Sequence, residues 1–328
     1  MKAVVITQPG GPEVLRYMDV PDPVAGPDDL LVAIKATALN RADLLQRAGG
    51  YPQPGPRPAH EIPGLEYAGE VVGVGERVQG FAVGDRVMGI AAGGGYAELI
   101  AVHHRLAVKV PTVLSWSEAG ATPEVFITAH DALLQCDLAA GESVLIHAAG
   151  SGVGVAAIQV AKVMGAGMVL GTAGGDDKLA QAKALGLDVG INYRTQDFAD
   201  EVLNATAGRG VDVVLDVIGA DYWERNMKAL APKGRMVIVG LMGGTATQAN
   251  LGALLQKRLQ IRGTTLRARA MEEKAYATRA FEKSVVPHIA SGRIKVVVDR
   301  IYPLSDAAAA QEYMASNANF GKVVLQVG

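Results

Sequence analysis

A single cysteine, Cys136, occurs in 328 residues. An intramolecular disulfide is therefore impossible, and a metal site built from several thiolates is excluded. The sequence also has no excess of either charge: 31 Lys and Arg against 33 Asp and Glu leave a formal net charge of −2. Both signs are scattered along the chain, so there is no electrostatic footprint for nucleic acid or for an anionic membrane, and a small neutral partner fits better. No apolar run is long enough to span a bilayer. The amino-terminal MKAVVI enters a strand-like run without the charged head and long apolar stretch of a secretory signal. No internal period of the kind left by stacked repeats is visible. Together these absences predict a soluble, cytoplasmic protein of ordinary globular architecture in a reducing compartment.

What is present is enough apolar residue, 49% of the chain, for two buried cores, and the length exceeds what one compact core usually accommodates. The rhythm changes near residue 123. Before it, short β runs (KAVVI, DLLVAIKATAL, YAGEVVGVG, DRVMGI, YAELIAV) alternate with Gly and Pro punctuation, predicting a barrel-like β domain. After it, SVLIHA, GMVLGT, VGIN, VDVVLDV, RMVIVG and LQIRGT alternate with helix-length segments, the pattern of a doubly wound α/β domain with a six-stranded parallel sheet covered on both faces. The last sixty or so residues read as a long amphipathic helix over 271–290, the strand VVVDRIY, a helix over 306–315 and a final strand KVVLQV. They are expected to return to the first domain. The division is thus 1–123 with 267–328, and 124–266, with a small-molecule cleft expected between the two.

The first strand-to-helix turn of the α/β part reads SVLIHAAGSGVGVAAIQVAK. Gly150, Ser151, Gly152, Val153 and Gly154 follow a buried strand and open an apolar helix, which suits a pyrophosphate approached closely by backbone and bound by helix-terminal N–H groups. The run departs from GxGxxG, since Ala149 and Ser151 stand at the first two glycine positions, and a merely tight turn is the alternative. The context of five further α/β units favours the nucleotide. No acid stands at Gly171, Thr172, Ala173 or Gly174 to accept the ribose hydroxyls of NAD, and Lys178 follows on the first helical turn, where an ammonium suits the 2′-phosphate of NADP. Asp176 and Asp177 complicate this. They read either as cofactor-facing acids or as solvent-facing residues of a helix start, where carboxylates are favoured.

GGPEVL, ALNRADLLQR, IPGLEYAGEVVGVG, VGDRV, GGGYAEL, HAAGSGVGVAAIQVAK, INYR, DVIGADYWERN and DRIYPL, in this order, resemble the zinc-free quinone oxidoreductases of the medium-chain dehydrogenase/reductase superfamily. The likeness is closest to the subgroup typified by the tumour-suppressor-inducible NADPH quinone oxidoreductase. It implies a GroES-like catalytic domain made from both chain ends, a Rossmann domain between them, NADPH as cofactor, hydride transfer to a quinone, and a homodimer formed through the sixth Rossmann strand. Zinc-dependent relatives have a cysteine where this chain has Asn40, a histidine where it has Leu65 ahead of Glu66, and a third ligand near Glu124. Without three such ligands no catalytic zinc is expected. His103 and His104 are neighbours on a strand, so they should point to opposite faces.

Without a Lewis acid, alcohol oxidation is disfavoured, while quinones and activated enones accept hydride into an electron-poor π system. The resemblance suggests Asn40 as a residue facing the nicotinamide, Thr128, at the start of the helix entering the second domain, near the same end, Tyr193 on the adenosine side and Asn319 closing over the ring. A packed polar residue, a helix cap and ordinary core packing are the alternatives for Asn40, Thr128 and Tyr193. Tyr51, in a Gly- and Pro-rich loop, reads either as a hydrogen-bond donor to the acceptor oxygen or as a loop anchor. Strand ends add Thr172, Gly174, Ile218, Gly219, Gly240, Leu241, Met242, Leu266 and Arg267 as cofactor contacts, because open α/β sheets bind ligands beyond the carboxyl edges. Two other functions stay open: an enone or alkenal double-bond reductase, and a low-turnover NADPH-binding regulatory protein.

Overall fold

A computed structural model describes residues 1–55 and 58–328. The chain forms two units, Met1–Ile127 with Leu266–Gly328, and Thr128–Thr265. The first division falls at Ile127 rather than at residue 123, because the helix there runs on past the change of rhythm.

The first unit begins with β1 (Lys2–Ile6), β2 (Leu15–Asp19), β3 (Asp29–Ala38), α1 (Arg41–Arg47), β4 (Glu66–Val74), β5 (Arg86–Ile90), β6 (Leu99–His103), β7 (Ala107–Lys109), α2 (Trp116–Gly120) and α3 (Pro123–Gln135), the last crossing into the second unit. The second continues with β8 (Ser143–Ile146), α4 (Gly152–Val163), β9 (Met168–Ala173), α5 (Asp176–Lys183), β10 (Val189–Asn192), α6 (Phe198–Ala205), β11 (Val211–Asp216), α7 (Trp223–Ala229), β12 (Leu230–Ile238), α8 (Leu251–Lys257) and β13 (Gln260–Gly263). The first unit then resumes as α9 (Met271–Ser284), α10 (Val286–Ala290), β14 (Val298–Pro303), α11 (Ala307–Ala315) and β15 (Lys322–Gln326).

In the second unit the six strands are all parallel, in the order β10-β9-β8-β11-β12-β13. The chain winds outward from β8 to β10 and then returns to β11 on the other side of β8. A topological switch point therefore lies beyond the carboxyl ends of β8 and β11, where ligands bind in open sheets. β8 is buried along its whole length, as its unbroken apolar sequence requires. β10 and β13 are the two edge strands.

The first unit is a sheet ordered β14-β15-β3-β4-β5-β7, with β6 also pairing β3 and a separate β1–β2 pair. Leu30, Val32 and Ile34 of β3 alternate inward against Tyr67, Val71, Val87 and Leu325. β15 lies antiparallel beside β3, with Val324 opposite Ala38, and β4 lies antiparallel on the other side, with Ala68 opposite Ala36. The start of β15, the end of β3 and the start of β4 consequently meet at one end of the sheet.

Two local expectations change. The helix expected over 271–290 breaks at Val285 into α9 and α10, since Pro287 has no N–H to continue the ladder. His103 and His104 do not point apart: β6 ends at His103, a 3₁₀ turn starts at His104, and the two rings lie with centroids 5.0 Å apart. No cluster of three or more potential metal-binding side chains occurs among the described residues.

Candidate functional site

In the second unit the turn from β8 to α4 carries the glycine run. Gly150 is buried, while Ser151, Gly152 and Val153 are half-buried at the mouth of α4. The Ser151 Oγ accepts the Gly154 N–H at 3.0 Å and caps the helix. A Cβ on Gly154 would lie 2.2 Å from the Ala148 carbonyl oxygen, so glycine is required there by close packing of helix on strand. Ala149 is tolerated at the first glycine position because its neighbour across the sheet is Gly171, whose missing Cβ would stand 3.0 Å from that of Ala149. The departure from GxGxxG is thus compensated one strand away.

At the exit of β9, Tyr193 and Arg194 close on Gly174: a Cβ there would meet the Tyr193 hydroxyl at 2.6 Å and the Arg194 Nε at 3.2 Å. Tyr193 and Arg194 are exposed, and Lys178 is in the first turn of α5. Asp176 and Asp177 are exposed at the start of that helix, and Asp176 Oδ1 accepts a hydrogen bond from Asn192 Nδ2 at 2.9 Å. They take the helix-start role rather than standing at the end of β9. Arg194, which sequence reading passed over, is legible only as the residue after Tyr193 in INYR.

Behind these surfaces runs a buried hydrogen-bond chain. His147, at the end of β8, bonds Thr172 Oγ1 through Nδ1 at 3.0 Å and Asn226 Oδ1 through Nε2 at 2.7 Å. Asn226 Nδ2 donates to Asp216 Oδ2 at 3.2 Å, and Asp216 accepts from the N–H groups of Ile218 at 2.7 Å and Gly219 at 3.2 Å. Since Asn226 must offer its oxygen to His147, the imidazole proton is assigned to Nε2, and Nδ1 accepts from the threonine hydroxyl. Burial lowers the His147 pKa to about 4, and burial raises that of Asp216 to about 6 against its two N–H partners. The chain ties the ends of β8, β9 and β11 into one frame. It also corrects one expectation: Thr172 is fully buried with its hydroxyl turned to His147, so it supports the strand end instead of facing a ligand. Beyond the frame, the Met242 and Gly243 N–H groups bond the carbonyls of Val217 at 3.3 Å and Ile218 at 2.7 Å, fixing the loop after Gly240. Leu241 and Met242 are each 49% exposed at this carboxyl edge, a place where large apolar side chains lack cover.

The first unit gathers a different cluster where β15, β3 and β4 meet. Lys322 Nζ bonds Leu39 O at 2.6 Å, Asn40 Oδ1 at 2.7 Å and Glu66 Oε1 at 2.8 Å. Asn40 Nδ2 donates to Glu66 Oε1 at 2.9 Å, and the Glu124 N–H, at the start of α3, donates to Glu66 Oε2 at 2.9 Å. Asp43 Oδ2 accepts from Asn40 N–H at 2.8 Å and from Tyr96 OH at 3.0 Å. Burial pushes the Glu124 carboxyl up to about 8, with Glu66 adding to the effect, and burial raises Asp43 to about 6. Asn40, expected to face a nicotinamide, has both amide atoms engaged inside this cluster.

Arg267 also turns inward. It is 5% exposed and donates to Ala92 O at 2.8 Å, Tyr51 O at 3.1 Å and Gln46 Oε1 at 2.8 Å, with its guanidinium 5.2 Å from the centre of the Tyr51 ring. Instead of contacting a cofactor directly, it anchors the loop that carries Tyr51. Burial first, and then Glu124, raise the Tyr51 phenol above its ordinary value. Leu266 is buried; so is Asn319, whose Nδ2 donates to Gly321 O at 2.8 Å. Thr128 is in the second turn of α3, half-buried, and neither starts nor caps that helix.

The donors do not fit a zinc ion. Leu65 offers none, and the Glu66 and Asn40 oxygens already surround an ammonium, which repels a divalent cation. The α4 mouth and the β9 exit fit a dinucleotide, with amides and a glycine cradle at one and an arginine, a lysine and a tyrosine hydroxyl at the other.

Family comparisons agree with this architecture. A zinc-binding dehydrogenase family matches residues 152–282, and an alcohol dehydrogenase GroES-like domain matches residues 26–112. The structure of Escherichia coli quinone oxidoreductase complexed with NADPH is 33% identical, with a TM-score of 0.89 over 99% of this chain and 100% of that one. A structure described as an NAD-dependent alcohol dehydrogenase is 36% identical, with a TM-score of 0.88 over 100% of both chains. The quinone oxidoreductase of Lama guanicoe is 33% identical over 205 residues, 62% of this chain and 61% of that protein. Among the first curated relatives the chain covers from 5% to 61% of their length. The chain belongs to the medium-chain dehydrogenase/reductase superfamily and has an oxidoreductase fold with a GroES-like and a Rossmann-type part. Within that superfamily its relatives include quinone oxidoreductases.

Proposed function

We propose that this protein is an NADPH-dependent quinone reductase that works without zinc. The observation that carries the cofactor choice is the β9 exit, where no carboxylate stands at Gly174 and Tyr193 and Arg194 close on it. With Lys178 on the following helix, these groups suit a 2′-phosphate, as charge-assisted donors do. Gly150, Ser151, Gly152, Val153 and Gly154 would hold the pyrophosphate against the first N–H groups of α4. When bound, NADPH supplies a hydride.

The chain's own contribution is to orient and to exclude water. Ile218, Gly219, Gly240, Leu241 and Met242 form the wall beyond the sheet, and the His147–Asn226–Asp216 chain keeps that wall in place. The Tyr51 phenol, in a loop fixed by Arg267, is the donor proposed for the acceptor oxygen as negative charge develops there. A quinone is preferred because charge delocalised over conjugated oxygens needs no metal. NADPH complexes among similar structures and the quinone-oxidoreductase relatives support the reading. A cytoplasmic setting and a homodimer through β13 belong to it. That strand leaves an unpaired edge, and Leu251 and Leu255 of α8 are 69% and 79% exposed. Among the described residues no helix is long and apolar enough to cross a membrane.

One assay tests the reading. Cofactor oxidation is followed with an ortho-quinone, a para-quinone, an alkenal and no acceptor, each with NADPH and with NADH. The expected result is turnover on a quinone with NADPH preferred. Turnover on the alkenal alone transfers the assignment to a double-bond reductase, and tight NADPH binding without turnover on any acceptor makes the protein a binding module.

A further inference from the structure

Lys322 carries no role in the reading above, yet it is the centre of the first unit's polar cluster. An ammonium has three N–H donors. Here all three have acceptors: Leu39 O at 2.6 Å, Asn40 Oδ1 at 2.7 Å and Glu66 Oε1 at 2.8 Å. The Lys322 side chain is 4% exposed and that of Glu66 fully buried, so the pair is neither screened nor shared with water. The remaining charged groups that face the cluster are Asp43, Glu124 and Arg267.

The consequence falls on Asn40. Its carbonyl oxygen meets a cation and its NH₂ meets the Glu66 carboxylate at 2.9 Å. Turning the amide over would set NH₂ against the ammonium and oxygen against the carboxylate, two repulsive contacts in place of two attractive ones. The amide is thereby locked in one orientation, and the Glu66 carboxylate is held in register with the Glu124 N–H at the start of α3. β-sheet register explains why Lys322 can do this from the far end of the sequence: β15 runs antiparallel to β3, with the Leu39 N–H bonded to Val323 O at 2.9 Å.

We propose that Lys322 is a positioning residue of the reductase, a built-in cation that fixes the Asn40 amide and the Glu66 carboxylate in the only arrangement that pairs both. The proposal rests on the reading of this chain as an NADPH-dependent reductase in which Asn40 faces the nicotinamide, as the family resemblance implies.

The test compares wild type with Lys322→Met, Lys322→Arg and the double variant Lys322→Met with Glu66→Gln, which removes both charges together. Three quantities are read: NADPH affinity by fluorescence titration, steady-state turnover on the quinone, and protection of the Asn40 side-chain amide protons by NMR. In Lys322→Met the account expects NADPH affinity within about twofold of wild type and turnover lower by on the order of 100-fold, as misplaced site groups give. The double variant should recover thermal stability while turnover and Asn40 protection stay low. Equal recovery of turnover and stability in the double variant would make the lysine merely structural and overturn the proposal. So would Asn40 amide protons equally protected in wild type and Lys322→Met, a result that needs no turnover. If wild type fails on every acceptor, the reductase reading is what falls, and the amide protection still decides the positioning claim.

Discussion

Each unit buries a polar network at one end of its main sheet, and the two networks are of opposite kinds. The Rossmann-type unit uses a neutral chain of His147, Asn226 and Thr172 ending on Asp216, every link of which fastens a strand end or a backbone N–H. The GroES-like unit uses an ion pair, Lys322 with Glu66, crowded by Asp43 and Glu124. In the first case the proposed cofactor binding falls to backbone amides at a helix mouth, and the network has only to keep them still. In the second the network itself carries charge into the interior. Buried charge is costly unless every partner is in place, so its retention marks a site in which orientation matters.

This contrast ranks the expected effects of breaking either network. Lys322→Met leaves Glu66 buried without its counter-ion and should cost about 3–5 kcal/mol in urea unfolding, the range for a buried pair broken on one side. A loss below about 1 kcal/mol would show that the pair is not a desolvated one. Asn226→Leu strands the His147 Nε2–H and one Asp216 oxygen and should cost about 1–3 kcal/mol, with NADPH affinity falling in step. A loss of stability with unchanged NADPH binding would detach that chain from the cofactor wall.

The two units should also answer pH differently. Glu124 is raised from 4.5 to about 8 and Asp43 from 3.8 to about 6, so the stability each contributes is full below its unfolded value and declines as pH rises through the folded one. In the Rossmann-type unit His147 is lowered from 6.5 to about 4, a contribution lost as pH falls, while Asp216 is raised from 3.8 to about 6, a contribution lost as pH rises. These two offset each other between pH 4 and 6. Above pH 6.5 Glu124 dominates, with a slope of at most about 1.4 kcal/mol per pH unit. Denaturant unfolding of wild type between pH 6.5 and 8 should show that decline and Glu124→Gln should flatten it; identical profiles would place the titration elsewhere. The smallest expected effect is at the β9 exit. Lys178→Ala should weaken NADPH about tenfold, near 1.4 kcal/mol, and NADH hardly at all. Equal losses for both cofactors would remove the 2′-phosphate assignment.

Much of this was legible in the sequence. The inner Rossmann strands follow from near-continuous apolar runs, the edge strands β10 and β13 from their place in the alternation, and the glycine turn from its place between strand and helix. The helix break at Val285 was written in Pro287 but masked by the amphipathic pattern on either side. His103 and His104 misled because strand alternation was extended one residue past the strand's end. Thr172 and Arg267 were read from strand ends and Asn40 from the family resemblance, but side-chain direction depends on partners far away in sequence: His147, Lys322 and the Gln46, Tyr51 and Ala92 acceptors. Lys322 was invisible for the same reason. Nothing local in GKVVL separates a buried ammonium from an ordinary strand-start lysine; only the pairing of β15 with β3 brings it to Asn40.

The measurement closest to the central claim is NADPH oxidation on an ortho-quinone by protein stripped of metal with a strong chelator. The account predicts an unchanged rate before stripping, after it, and on adding back zinc. A rate abolished by the chelator and restored by zinc would contradict it.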